Sequence, residues 1–302
     1  MKRANHFEVI IVGGSYAGLS AAMALGRSLR KVLIIDSGLP CNRQTPHSHN
    51  FITHDGEAPA SIAQKAKTQL LQYSTVEFFD GLGVHATKVD EGFVVTVQTG
   101  EEFLSKRLVL ATGIRDLLLE IPGLAACWGI TVIHCPYCHG YEFRGQRTAI
   151  MANGERAYHL ATLVNNLTDK LTILTGSAPD FTSDQMTRLR AHQIEVVPDE
   201  VSAIIHEDGQ VKQVAFSDGR VMPFSAIYAA VPFVQSSDIA ASLGCQFTEQ
   251  GRIQVDPMQK TTIEGVFACG DNASTVRSLA SAVYSGNLAG AVINQELTES
   301  QF

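Results

Sequence analysis

An apolar, β-branched run from Phe7 to Val12 stops at Gly13-Gly14-Ser15. Ala22, Leu25 and Leu29 then recur at helical spacing, and a second apolar run, Val32-Leu33-Ile34-Ile35, ends on Asp36. Strand, glycine turn, helix and buried strand in that order predict a βαβ opening, and with it a parallel sheet.

The pattern then changes and returns. Ser61 to Tyr73 reads as a helix, Gly92 to Gln98 as a strand, Thr99-Gly100-Glu101 as a hairpin turn and Arg107 to Ala111 as a short strand stopped by Gly113. A second βαβ pattern opens at Arg147, with a strand from Thr148 to Met151, a turn at Gly154, a helix from Glu155 to Asn166 and a strand from Leu171 to Leu174. The tail goes back to the opening arrangement, with the strand Val266-Phe267-Ala268, the turn Cys269-Gly270-Asp271 and a helix from about Leu279 to Leu297. No low-complexity linker or short-period repeat intervenes. A middle domain inserted into a discontinuous first domain fits this order.

Composition narrows the class. A chain of 302 residues is longer than one hydrophobic core usually serves, so two domains are expected. Hydrophobic residues at 45% and charged residues at 18% belong to a packed globular protein. The net charge of −7 argues against a nucleic-acid partner, which needs a concentrated basic surface. No apolar run approaches the roughly 20 residues that span a bilayer. Phe7 to Val12, interrupted by Glu8, is too short for a signal peptide, so no membrane association and a cytoplasmic location are expected. Of the six cysteines, Cys41, Cys127, Cys245 and Cys269 are scattered singly, and buried inert thiols are the default for them.

Gly13-Gly14-Ser15-Tyr16-Ala17-Gly18 has the G-x-G-x-x-G form with Ser15 in the second glycine position. That position lets backbone approach a pyrophosphate, and serine narrows it without closing it. Asp36 follows at the distance where an acidic side chain accepts from the ribose hydroxyls of an adenine dinucleotide. The sharper signal is His134-Cys135-Pro136-Tyr137-Cys138-His139-Gly140, just before the second βαβ unit. Two thiols separated by two residues can close a small disulfide ring, with the first poised as a thiolate. Half of a zinc site is the rival, but zinc needs two further ligands at related spacing, and neither Cys127 nor a distant pair supplies them.

With Ala111-Thr112-Gly113 and Gly265-Val266-Phe267-Ala268-Cys269-Gly270-Asp271 added, the chain resembles the two-dinucleotide-binding flavoproteins. With the Cys135–Cys138 pair where it is, it resembles the low-molecular-weight thioredoxin reductase family over essentially its whole length. The resemblance implies an α/β fold of two Rossmann-like, three-layer ββα domains, the second inserted into the first. Residues 1–114 and 235–302 would form a discontinuous FAD-binding domain, and 115–234 an inserted NAD(P)-binding-like domain carrying the CxxC. It implies a homodimer, with FAD held by Gly13, Gly14, Ser15, Ala17, Gly18, Asp36, Asn42, Ala111, Thr112, Gly113, Gly270, Asp271 and Ala280. It also implies that Cys138 lies against the flavin while Cys135 exchanges with the substrate.

Three departures from that family bear on the reaction. The second glycine motif would fall at Ala152-Asn153-Gly154-Glu155-Arg156-Ala157, where Ala152 replaces a glycine and Glu155 sets a like charge against phosphates. The next strand ends in Thr175-Gly176-Ser177, without the cations that hold a 2′-phosphate or the acid that favours NADH. Neither NADPH nor NADH is therefore expected, although Arg156 or Arg188 could supply a cation for NADPH. His139 stands where the reductases place an acid, and imidazole can take a thiol proton as readily as return one.

In this the chain resembles the FAD-dependent dithiol oxidases, which close disulfides in small molecules, use oxygen and need no NADPH. Cys135, Cys138 and His139 would be the catalytic residues, and a small-molecule dithiol or a thioredoxin-like protein the partner. The alternatives are a thioredoxin reductase fed by NADPH or another donor, and a flavin-bound redox sensor that does not turn over. His47, His49 and His54 lack helical spacing for a metal and read as flavin or substrate contacts from a loop, or as solvated residues. Trp128 and Tyr137 read as packing residues, and no metal site is expected.

Overall fold

The computed structural model describes residues 6–302. Two compact units divide the chain. One contains the chain up to Arg43, Ala60–Arg115 and Phe233–Phe302; the other contains Gln44–Pro59 and Asp116–Pro232. Segment 44–59, expected in the first domain, groups with the second unit. Its backbone closes on itself through Ser48 N–H to Glu57 O at 2.8 Å, and it meets residues of the second unit at Gly129 and His139.

In the first unit β1 (His6–Val12), β2 (Val32–Asp36) and β3 (Val76–Asp80) are parallel, and β6 (Glu102–Leu110) joins β1 on the other side, also parallel. The hairpin β4 (Gly83–Val89) and β5 (Gly92–Val97) continues the sheet antiparallel from the first half of β6. The strand Val266–Ala268 takes the second half, in parallel. Sharing one edge between two partners explains why β6 is longer than the Arg107–Ala111 run suggests.

Strand periodicity places alternate residues on opposite faces, and both faces are covered. Ile10, Val12, Leu33, Ile35, Leu108 and Leu110 pack with Phe93, Val95 and Phe103 of the antiparallel layer. Val9, Ile11, Val32, Ile34 and Val109 pack with α1 (Tyr16–Arg27) and the last helix, Leu279–Glu299. Sheet, sheet and helix are thus the three layers. α1 ends at Arg27; Leu29 lies beyond it in the left-handed region at φ 59° and is exposed, so it does not belong to the helical stripe. The next helix, α2 (Pro59–Leu70), starts two residues before the expected Ser61, with proline tolerated in the first turn.

The second unit has its own parallel sheet, in the order Glu195–Val197, Leu171–Leu174, Thr148–Met151, Ala226–Ala229, Val132–Ile133. The helix Gly154–Val164 follows Thr148–Met151, and a three-stranded antiparallel sheet (Val201–Glu207, Gln210–Phe216, Val221–Pro223) completes the unit. Both units are Rossmann-like. The short edge strand Val132–Ile133 delivers the chain directly to His134-Cys135, and the helix Pro136–His139 begins there, beyond the carboxyl end of the sheet where such folds bind and react. No helix among the described residues is long and apolar enough to cross a membrane.

Candidate active site

β1 runs into the turn Gly13-Gly14-Ser15, and β2 ends beside it. Asp36 Oδ1 accepts a hydrogen bond from the backbone N–H of Gly14 at 3.0 Å. Gly13 has φ 107°, and a Cβ there would stand 2.2 Å from the carbonyl oxygen of Ala111. A Cβ on Gly18 would stand 1.9 Å from Gly13 O. The two glycines therefore let the turn press against Ala111-Thr112 on one side and let α1 close over β1 on the other. Ser15 caps α1 without a side-chain bond to its N–H groups, and the N-terminus of a helix is a favourable place for an anion. A helix N-terminus, a turn that admits no Cβ and an acidic residue at the strand end fit the pyrophosphate and ribose of an adenine dinucleotide.

The returning segment completes this cluster. Gly270 N–H donates to Ser285 Oγ at 3.0 Å, and a Cβ on Gly270 would stand 3.0 Å from the Ala17 Cβ. Asn272, fully buried, donates from Nδ2 to Leu110 O at 2.8 Å and to Thr112 Oγ1 at 3.3 Å, while its Oδ1 is buried without a hydrogen-bond partner. Asp271 lies between two guanidiniums: its carboxylate is 3.5 Å from Arg277 Nε, and its carbonyl accepts from Arg252 Nη1 at 2.6 Å. Burial, reinforced by the Arg277 charge, pushes the Arg252 pKa down. Asn272, Ser285 and Arg252 escape sequence reading, because nothing in a pattern marks which neighbours of Gly270-Asp271 turn inward. Asn42 is half-buried in the turn after Pro40, and Ala280 is exposed in the first turn of the last helix.

In the second unit Cys135 is the N-cap of the short helix Pro136–His139, and Cys138 lies one turn on, its N–H donating to Cys135 O at 3.3 Å. Both cysteines are half-exposed. Trp128, buried, stacks on His134 with ring centroids 6.1 Å apart, fixing the residue that leads into Cys135. Tyr228, on the strand paired with Val132–Ile133, lies under the turn with its hydroxyl 3.0 Å from where a Cβ on Gly140 would stand. Burial, with the charges of Cys135 and Glu142, pushes the Tyr228 phenol pKa upward, so it keeps its proton. Tyr137, expected to pack, is 68% exposed between the two cysteines because the four-residue helix has only one covered side.

His139 is half-buried, and its Nε2 is buried without a hydrogen-bond partner. Burial, and then the neighbouring His49, lower its pKa below the ordinary imidazole value; Glu142 and a hydrogen bond to the His47 backbone oppose the shift without reversing it. Nε2 is the ring nitrogen left without a partner. A neutral imidazole directly after the second cysteine is equipped to accept a thiol proton.

Around the expected nicotinamide motif the chain hydrogen-bonds to itself. Asn153 Oδ1 accepts from Gly154 N–H at 2.8 Å and from Asp180 N–H at 2.9 Å, while its Nδ2 donates to Ser177 Oγ at 3.2 Å and Ala178 O at 3.0 Å. The Asp180 carboxylate comes within 3.4 Å of where a Cβ on Gly154 would stand. Glu155 Oε2 accepts from Gln185 Nε2 at 2.6 Å.

The other cysteines divide. Cys127, Cys245 and Cys269 are buried, and burial alone pushes the Cys269 thiol up to about 12. Cys41, expected to be buried, is exposed because it sits in the polar turn after Pro40.

Residues 7–286 match the family model described as pyridine nucleotide-disulphide oxidoreductase. The thioredoxin reductase sirT of Leptosphaeria maculans is 31% identical over 306 residues, which span 95% of this chain and 93% of that protein. A solved oxidoreductase from Agrobacterium tumefaciens is 35% identical with a TM-score of 0.91, covering 97% of this chain and 99% of that one. The structure of the thioredoxin reductase TrxB from Bacillus anthracis is 27% identical with a TM-score of 0.93, covering 98% and 100%.

Proposed function

The chain belongs to the pyridine nucleotide-disulphide oxidoreductase family, among its thioredoxin reductase-like flavoproteins, and from that premise we propose that it is a dithiol oxidase working through Cys135 and Cys138 without a nicotinamide cofactor. FAD is the cofactor of this reading. Gly13, Gly14, Ser15, Ala17 and Gly18 would hold its pyrophosphate and Asp36 its adenosine ribose, while Ala111, Thr112, Gly113, Gly270 and Asp271 would line the rest of the dinucleotide site, with Asn42 and Ala280 at its margins. FAD supplies a two-electron acceptor for the reduced cysteine pair.

The protein's own steps are those of thiol-disulfide exchange. His139 takes the proton of a substrate thiol, and the thiolate attacks Cys135 Sγ of the disulfide. The S–S bond breaks and its electron pair leaves on Cys138. The substrate's second thiolate then attacks the mixed disulfide, releasing Cys135 and closing the substrate disulfide. Two electrons now reside on the cysteine pair. Oxygen or another acceptor completes the cycle.

The observation that carries this reading is His139 directly after Cys138, with its Nε2 buried without a hydrogen-bond partner and its pKa lowered by burial. The Asn153 and Asp180 contacts favour a reading without NADPH or NADH, because Asn153 Oδ1 takes the Gly154 N–H at the helix start and holds the Asp180 loop beside it. The names of the relatives favour a second reading, a reductase of a thioredoxin-like protein that runs the same cysteines in reverse. An anaerobic stopped-flow experiment with NADPH, NADH and a small dithiol, each added alone, separates the two. Flavin bleaching by the dithiol only is expected. Bleaching within seconds by NADPH restores the reductase.

A further inference from the structure

The loop 44–59 brings a second imidazole to His139. The rings of His49 and His139 meet edge to face at 86°, with centroids 6.2 Å apart. His49 Nε2 is 3.6 Å from Glu142 Oε1, and its Nδ1 is 3.7 Å from Asp55 Oδ1. The other Glu142 oxygen, Oε2, is buried without a hydrogen-bond partner. Exposure rises along this row: His139 Nε2 is inaccessible, the His49 side chain is 20% exposed and that of Asp55 is 70% exposed.

The loop is built to hold this geometry. Gly56 N–H donates to Ser48 O at 2.8 Å, His47 Nδ1 lies 3.0 Å from Gly56 O, and Asn50 N–H donates to Asp55 Oδ1 at 2.7 Å. The charged and titratable groups around the pair come from three elements. Cys135, Cys138 and Glu142 lie on the redox turn and just after it; His47, Asp55 and the His54–Glu57 pair lie on the loop; Tyr228 lies on the strand beneath.

We propose that His49 and Glu142 form the proton exit of His139, so that each proton taken from a substrate thiol passes to His49, held by the Glu142 carboxylate, and leaves at the Asp55 side of the loop. The proposal rests on the reading of Cys135, Cys138 and His139 given above. The need follows from the balance of the reaction: oxidation of a dithiol releases two protons with its two electrons, and a buried base that keeps the first cannot take the second. A carboxylate at 3.6 Å suits an imidazolium that forms and discharges in every cycle. His49 is thus a proton carrier, and Glu142 a positioning residue.

The test uses the purified flavoprotein in stopped-flow reduction by a small dithiol, in weak and in strong buffer, with FAD content and urea midpoint as checks on folding. His49→Ala should lose on the order of tenfold or more in weak buffer, a modest share of what general acid-base catalysis supplies, and regain it saturably with millimolar imidazole. His49→Gln should lose the same activity if Ala disturbs the loop. Glu142→Gln should slow turnover and move the pH limb of His139 to lower pH, since the carboxylate raises that pKa. Rates for His49→Ala that match the parent in every buffer, or a loss that imidazole leaves untouched, overturn the exit. Cys135→Ser separates the two levels: if that variant is still reduced by dithiol, the underlying reading fails. If it is inert while His49→Ala behaves as the parent, only the exit fails.

Discussion

Asn153 Oδ1 accepts the backbone N–H of Asp180 at 2.9 Å, and this one bond draws the loop after Leu171–Leu174 across the start of the helix Gly154–Val164. The Gly154 N–H at the helix start is bonded within the chain, with the Asp180 carboxylate held close by. NADPH should accordingly show no saturable binding in the micromolar range by calorimetry, whether the flavin is oxidised or reduced. Micromolar binding would mean that loop 176–180 opens readily.

Anaerobic titration of the oxidised protein with dithionite should consume about four electrons per chain, two for the flavin and two for the Cys135–Cys138 disulfide. Cys138→Ser should lower this to about two electrons. An oxidised parent that accepts only two, with both cysteines intact, would remove the redox pair from the mechanism.

His139 must be neutral to accept a proton, so dithiol-driven flavin reduction should rise with pH through an apparent pKa below the ordinary imidazole value of about 6.5. His139→Ala should abolish this limb and cost on the order of 10²-fold, with FAD content unchanged. An unshifted profile in the variant would reduce His139 to a turn residue.

The same shift is a stability statement. The fold favours neutral His139, whereas the unfolded chain takes up the proton near pH 6.5; acidification below that value should destabilise the protein until the lower folded pKa is passed. The urea midpoint of His139→Gln should fall less over this window than that of the parent. Equal losses would assign the acid sensitivity to other groups.

Gly18→Ala places a Cβ 1.9 Å from Gly13 O, a backbone atom that cannot swing aside. The variant should be purified with little FAD and a lower melting temperature, because the turn must move away from α1. Retention of full FAD content would show that the turn relaxes without loss of the cradle.

Iodoacetamide should label Cys41 in the native protein while Cys127, Cys245 and Cys269 stay unmodified, since burial both blocks access and raises their thiol pKa values. Peptide mapping by mass spectrometry decides this, and labelling of Cys269 without unfolding would contradict the packed core.

Several features were legible in the sequence because they are local. The strands Thr148–Met151, Leu171–Leu174 and Val266–Ala268 have the bounds their apolar runs imply, since a strand buried on both faces has to be continuously apolar. The turn at Gly13 to Gly18, Asp36 at the end of β2 and the Cys135–Cys138 spacing are likewise fixed by short-range geometry. Only the tertiary structure decided what depends on distant segments meeting. Asn272 bonds Leu110 and Thr112, more than 150 positions away, and His49 reaches His139 across some 90 residues, from a loop whose histidines read in sequence as flavin or substrate contacts or as solvated residues. No periodicity encodes such encounters, because a buried polar side chain is chosen by the partner it satisfies and not by its neighbours in the chain. The exposure of Tyr137 and the self-capped start of the helix Gly154–Val164 belong to the same class. Each is set by which groups the fold leaves next to one another once its sheets have formed.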